Sequence, residues 1–182
     1  MKGELDAALR ATMQKLLDDV QRWDPSQLLT QSESEIAAHL AEKHTVHCPE
    51  LRRDQMYADE PADVKQQVRA YSERMVEVPA TRVVVHVPYD GERDFFFLKP
   101  STYSMNPPRA DVTETEVVLT FEDRQLDGER IRGQLEHELA EIERWLAWSR
   151  KAGEQHNASL LDTALSTIRQ RREKLLRDLP CV

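Results

Sequence analysis

With 182 residues, 25 Lys plus Arg against 33 Asp plus Glu and a net charge of −8, the chain can bury a core of its own, and it is too acidic for its whole surface to hold phosphate backbones. Nucleic acid would need a local basic patch. Cys48 and Cys181 are the only cysteines, too few and too far apart for a disulfide framework, which fits a reducing, cytoplasmic setting. Charged residues from Lys2 to Arg22 leave no signal-peptide core, and no apolar run approaches the ~20 residues of a membrane span.

Leu5, Leu9, Met13, Leu16 and Val20 recur at three and four, predicting a helix from about Glu4 to Arg22 that Asp24-Pro25 closes. Ser32 or Ser34 can cap a second helix carrying Ile36, Ala37, Leu40 and His44, with Cys48-Pro49 as its exit. Residues 52–71 are mostly polar, and Ala62 to Ala70 allows one or two helical turns. From Met75 the β-branched run through Val87 predicts two strands, or one bent at Pro79. Asp90-Gly91 turns the chain, Phe95 to Leu98 reads as a further strand, and Val112 with Val117 to Phe121 reads as a hairpin turning at Thr113 to Thr115.

From Asp127 to Leu179 two amphipathic patterns follow one another. Ile131, Leu135, Leu139, Ile142 and Leu146 line the first, and Leu161, Leu165, Ile168 and Leu175 the second, with Gly153 to Ser159 as a polar break. The expectation is a helical hairpin in which the acidic early half lies beside the basic late half. The fold class is α+β: a small antiparallel sheet of about four to five strands, flanked by an N-terminal helical segment and a long C-terminal antiparallel helical hairpin. The expected domain is one, residues 1–182, with helices in 1–72, the β region in 73–124 and the hairpin in 127–179.

Few residue patterns carry chemistry. Gly128 and Gly133 match the glycines of a phosphate loop, but Gln134-Leu135 follows where Lys and Ser or Thr are required. His137-Glu138 begins like a zinc helix, yet Glu141 stands where the second histidine belongs. His39, His44, His47 and Cys48 cluster without a familiar ligand spacing, so no metal and no cofactor is expected. Trp145 and Trp148 invite a stacking platform, but helical spacing in an apolar stripe favours packing. Arg169, Arg171 and Arg172 read as a phosphate-binding stripe or, more simply, as a solvated basic face. One segment has the look of a recognition surface: Lys99, Ser101, Thr102, Tyr103, Asn106 and Arg109 crowd donors onto a loop stiffened by Pro100, Pro107 and Pro108, suited to an anion or a partner peptide.

The runs Val83-Val-Val-His-Val-Pro-Tyr-Asp-Gly91, Lys99-Pro-Ser-Thr-Tyr-Ser-Met-Asn-Pro-Pro-Arg109, Gln155-His-Asn-Ala-Ser-Leu160 and Arg171-Arg-Glu-Lys-Leu175 resemble the N-terminal region of a group of uncharacterised bacterial, defence-associated multidomain proteins. The resemblance implies a regulatory region ahead of a nuclease- or TIR-type effector domain, in a setting of antiphage defence, and assigns no catalytic residue. Such proteins continue where this chain reaches Leu179-Pro-Cys-Val182, so an excised domain or a short version is expected. Together these readings favour a non-catalytic sensing, regulatory or assembly domain that binds a protein partner or itself. The rival is a nucleotide- or phosphate-binding domain, hydrolytic or not, built on the loop from Lys99 to Arg109.

Overall fold

A β-branched run supplies a long strand, and three- and four-residue apolar spacing supplies helices on either side of it in sequence. The computed structural model describes residues 3–69, 75–100, 110–124 and 127–178. In chain order these form β1 (Gly3–Glu4), α1 (Leu5–Arg22), α2 (Pro25–Thr30), α3 (Glu33–His44), β2 (Glu50–Leu51), β3 (Tyr57–Ala58), β4 (Ala62–Arg69), β5 (Met75–Asp90), β6 (Leu98–Lys99), β7 (Asp111–Val112), β8 (Glu116–Asp123) and α4 (Gly128–Asp178). Short 3-10 helices occupy Arg53–Gln55 and Arg93–Phe96. The fold is α+β, with an antiparallel sheet of six strands and a separate parallel pairing of β1 with β6.

The chain divides into two compact units, each drawn from separated stretches. A helical unit comprises Met1–Cys48, Phe97–Tyr103 and Trp148–Val182; a sheet unit comprises Pro49–Phe96 and Ser104–Ala147.

In the sheet unit β5 is the spine. One of its edges takes β4, β3 and β2 in turn, and the other takes β8, which carries β7 beyond it. Bonded and non-bonded pairs alternate along such a ladder. The Tyr89 N–H bonded to the Thr115 carbonyl at 3.0 Å sets the phase: odd residues of β5 aim their backbone at β8, even residues at the other edge. The Asp59 N–H on the Val84 carbonyl, 3.0 Å, agrees. Pro79 thus turns its nitrogen to the β8 side just beyond Thr81, the last residue that β8 reaches, so the ring removes no ladder bond. That is why a proline that suggests an interruption leaves one strand.

Val85, Val87 and Tyr89 with Val117 and Leu119 form the buried face of the sheet. The first part of α4 adds Ile131, Leu135, Leu139, Ile142, Trp145 and Leu146, each fully buried aliphatic side chain stabilising by ~1.5–3 kcal/mol. Polar ties hold α4 in place: the Trp145 indole donates to the Phe95 carbonyl at 3.2 Å, and Arg53 donates to both oxygens of Glu143 (2.7 and 2.8 Å) and to Glu136 (2.8 Å).

The helical unit packs Leu16, Val20, Leu28, Ile36, Ala37 and Leu40 of α1–α3 with Leu160, Ala164 and Ile168 of α4. Asp24 accepts the Gln27 N–H at 2.9 Å and Pro25 opens α2, so the Asp24-Pro25 pair that ends α1 also starts a helix not foreseen from sequence.

Three expectations are corrected. The C-terminal hairpin does not form: Gly128–Asp178 is one helix of 51 residues. Its buried positions run without a gap through Ile131, Leu135, Leu139, Ile142, Leu146, Ser149, Gly153, His156, Leu160, Ala164 and Ile168. Small and polar residues fill the middle of that stripe, so a continuous face looks like a break. Consequently Leu160 is buried, not Leu161, which is 44% exposed. Second, the stretch expected to be helical through residue 72 contains β2, β3 and β4 from Glu50 onward; β4 is polar because the ribbon it makes with β5 is mostly exposed, Ala80 being the one buried side chain among its described residues. Third, Phe95 and Phe96 lie in a 3-10 turn, which points Phe95 into the core and sets Phe96 edge-on to Tyr89 at 4.8 Å.

The hairpin and the single helix predict opposite outcomes for the exposed residue Gln155. Gln155→Pro should cost about 3 kcal/mol or more in urea denaturation, because a proline ring inside a helix clashes with the preceding turn. A turn at that point would tolerate it.

Candidate functional site

Along β8 the ladder phase places the N–H and C=O groups of Val118, Thr120 and Glu122 on the edge away from β5. Val118 meets Asp111 of β7. Among the described residues nothing pairs with Thr120 or Glu122 on that edge, so within them the sheet ends in two residues of open backbone. Beside it α4 forms a second wall. Asp127 caps α4 by accepting the Glu129 and Arg130 N–H groups at 3.0 and 3.2 Å, and Arg130 pairs with Asp123 of β8. Between edge and helix lies a groove of about 660 Å³, lined by Leu119 and Phe121 on one side and Arg130, Gly133, His137 and Glu138 on the other. A Cβ added at Gly133 would meet no atom within 4 Å, so this wall is recessed.

The opposite face of the sheet carries a polar cluster. His86 stacks on Tyr57, with ring centroids 4.7 Å apart and planes 3° from parallel. Its Nδ1 lies 3.1 Å from Glu116 and its Nε2 3.3 Å from Asp59, while the Tyr57 hydroxyl donates to Glu116 at 3.0 Å. Burial works against the imidazolium, but the two carboxylates together outweigh it and raise the His86 pKa above the ordinary 6.5. The cluster fastens the short β3 to β8 across β5.

In the helical unit His44 lies 2.9 Å from Asp19, which also accepts from Lys43 at 2.8 Å; these two partners hold the Asp19 carboxyl below its ordinary value. His156 is buried beside them, and its Nε2 has no partner among the described residues. Burial pushes its pKa below 6.5; a hydrogen bond to the His44 backbone opposes this and the His44 charge adds to it. Asn157 clasps the backbone of Val46, accepting its N–H at 3.0 Å and donating to its carbonyl at 2.9 Å. His39 sits edge-on to Trp23 at 5.9 Å. Among the described residues no group of three or more His, Cys, Asp or Glu is placed to hold a metal ion.

The residues singled out from sequence fare differently. Of the donor residues of the recognition loop only Lys99 is described, 3.8 Å from Glu4; Ser101, Thr102, Tyr103, Asn106 and Arg109 lie outside the described residues. Arg169, Arg171 and Arg172 are turned to their own unit. Arg169 meets Glu33 at 3.0 Å, Arg171 donates to the Val20 carbonyl, and Arg172 donates to the Leu28 carbonyl at 2.5 Å, to the Gln31 carbonyl and to Glu33 at 3.2 Å. These guanidiniums lie against carbonyls at the ends of α1 and α2, that of Val20 also accepting the Trp23 N–H at 3.3 Å. The groove beside β8 has no signature in the sequence, where His137 and Glu138 resemble the start of a zinc helix and Gly133 a phosphate-loop glycine. Comparison with protein-family models, with curated proteins and with solved structures finds no match.

Opposite pH responses follow for the two histidines. Unfolded imidazole takes up its proton near 6.5, whereas folded His156 stays neutral to lower pH, so the unfolded state binds more protons and stability falls as pH drops below 6.5. Folded His86 holds its proton above 6.5, so its contribution is full below 6.5 and is lost as pH rises through the raised value. Wild type should therefore lose stability relative to His156→Leu on going from pH 7 to about 5. Relative to His86→Leu it should gain over the same range. Thermal melts of the three proteins across pH check both signs.

Proposed function

We propose that this chain is a non-catalytic sensing, regulatory or assembly domain that binds another protein by accepting an extended segment as a further strand on β8. The observation that carries the reading is the open backbone at Thr120 and Glu122 with a recessed helix wall beside it. An unpaired edge gives affinity through main-chain hydrogen bonds, and a groove alongside gives selectivity through alternate side chains. Natural sheets normally blunt such edges. A cytoplasmic regulatory region in bacterial antiphage defence, as the family resemblance suggests, is the setting we favour; no helix of the described residues is long and apolar enough to cross a membrane.

The test uses the phase of the ladder. Thr120→Pro removes an N–H that faces outward and leaves the bonds to β5 in place, so the protein should stay folded. Peptides selected on the wild-type protein from a displayed random library should bind this variant at least about tenfold more weakly, the worth of one or two net hydrogen bonds. A library that yields no binder, or binders indifferent to Thr120→Pro, would end the reading.

A further inference from the structure

Strand addition beside β8 fixes which side chains of the incoming segment meet which wall. Side chains alternate across a sheet, so residues set opposite Leu119 and Phe121 turn toward α4, and the residue opposite Thr120 turns to the other face. The groove-facing positions thus meet an apolar floor, the recess at Gly133 and the carboxylate of Glu138.

The charges around the groove are not equivalent. Arg130 is paired with Asp123, and Glu122 is held by Arg82 through contacts of 2.9 and 2.7 Å. Glu138 is half-buried and, among the described residues, has neither a hydrogen bond nor an ion pair. A strand laid over it would strip its remaining water. Burying an unpaired carboxylate is costly, whereas burying one against a cation recovers much of that cost. Selection here works by exclusion: a segment with an apolar or acidic residue at that position is rejected.

We infer that the groove between β8 and α4 selects an extended basic-apolar protein segment, with one groove-facing lysine or arginine meeting Glu138 and an aliphatic residue two positions away resting on Leu119 and Phe121. This rests on the strand-accepting reading above, and the experiment separates the two. Three seven-residue peptides, acetylated and amidated, alternate groove-facing valine with outward threonine and differ only at the central groove-facing position, which is lysine, leucine or glutamate. Fluorescence anisotropy gives their affinities for wild type, Glu138→Gln, Glu138→Lys and Thr120→Pro.

The lysine peptide should bind wild type about tenfold more tightly than the leucine peptide and more tightly still than the glutamate one. Glu138→Gln should abolish the preference for lysine over leucine, and Glu138→Lys should reverse the order of lysine and glutamate. Equal binding of all three peptides to wild type, with loss on Thr120→Pro, would overturn the charge selection and leave strand addition standing. A lysine preference that survives Glu138→Gln would also overturn it. Absence of binding by every peptide would count against both.

Discussion

A helix whose buried positions recur from Ile131 to Ile168 without a missing turn can close two cores, and α4 does so. Its first part covers the sheet beneath Val85, Val87, Val117 and Leu119; its later part completes the packing of α1–α3. The stripe passes through Ser149, Gly153 and His156, residues that a purely apolar core would not choose. Among the described residues His156 Nε2 stays unpartnered there, a cost that the aliphatic positions on either side of it outweigh, whereas the neighbouring Asn157 pairs both groups of its amide with the Val46 backbone. If the helix broke there, each core would lose one wall.

The second governing constraint is the phase of the β5–β8 ladder. It decides that Pro79 removes no bond, that Thr120 and Glu122 look outward, and that Phe121 and Asp123 share the side of α4. It also sorts the charges. Glu116, with Asp59 and Tyr57, is spent on His86 on the open face, and Asp123 is spent on Arg130, which leaves Glu138 as the groove's uncommitted carboxylate. A register shift of one residue would exchange these faces.

Much of the fold could be read from residue order. Leu5, Leu9, Leu16 and Val20 mark α1, Ile36, Ala37 and Leu40 mark α3, and the turn at Thr113 to Thr115 is where the sequence puts it. Elements whose stability comes from somewhere other than their own pattern were not legible. Lys65, Gln66 and Gln67 show no apolar alternation because β4 is held by backbone bonds to β5. Phe95 is placed by the indole of Trp145, fifty residues away. The candidate site was hidden for a different reason: an open edge consists of bonds not made, and no residue type announces that. Glu138 is visible in sequence, but that it has no partner among the described residues depends on where the other side chains lie.

Because α4 follows all the strands and the first three helices in the chain, the order in which a ribosome delivers these parts matters. The N-terminal helices emerge with Leu16, Val20 and Ile36 awaiting a surface that is made more than a hundred residues later, when Leu160 to Ile168 appear. The sheet, by contrast, acquires its cover as soon as Ile131 to Leu146 are synthesised. The sheet unit should therefore mature first, and the residues of α1–α3 should be among the last to become shielded from chaperones.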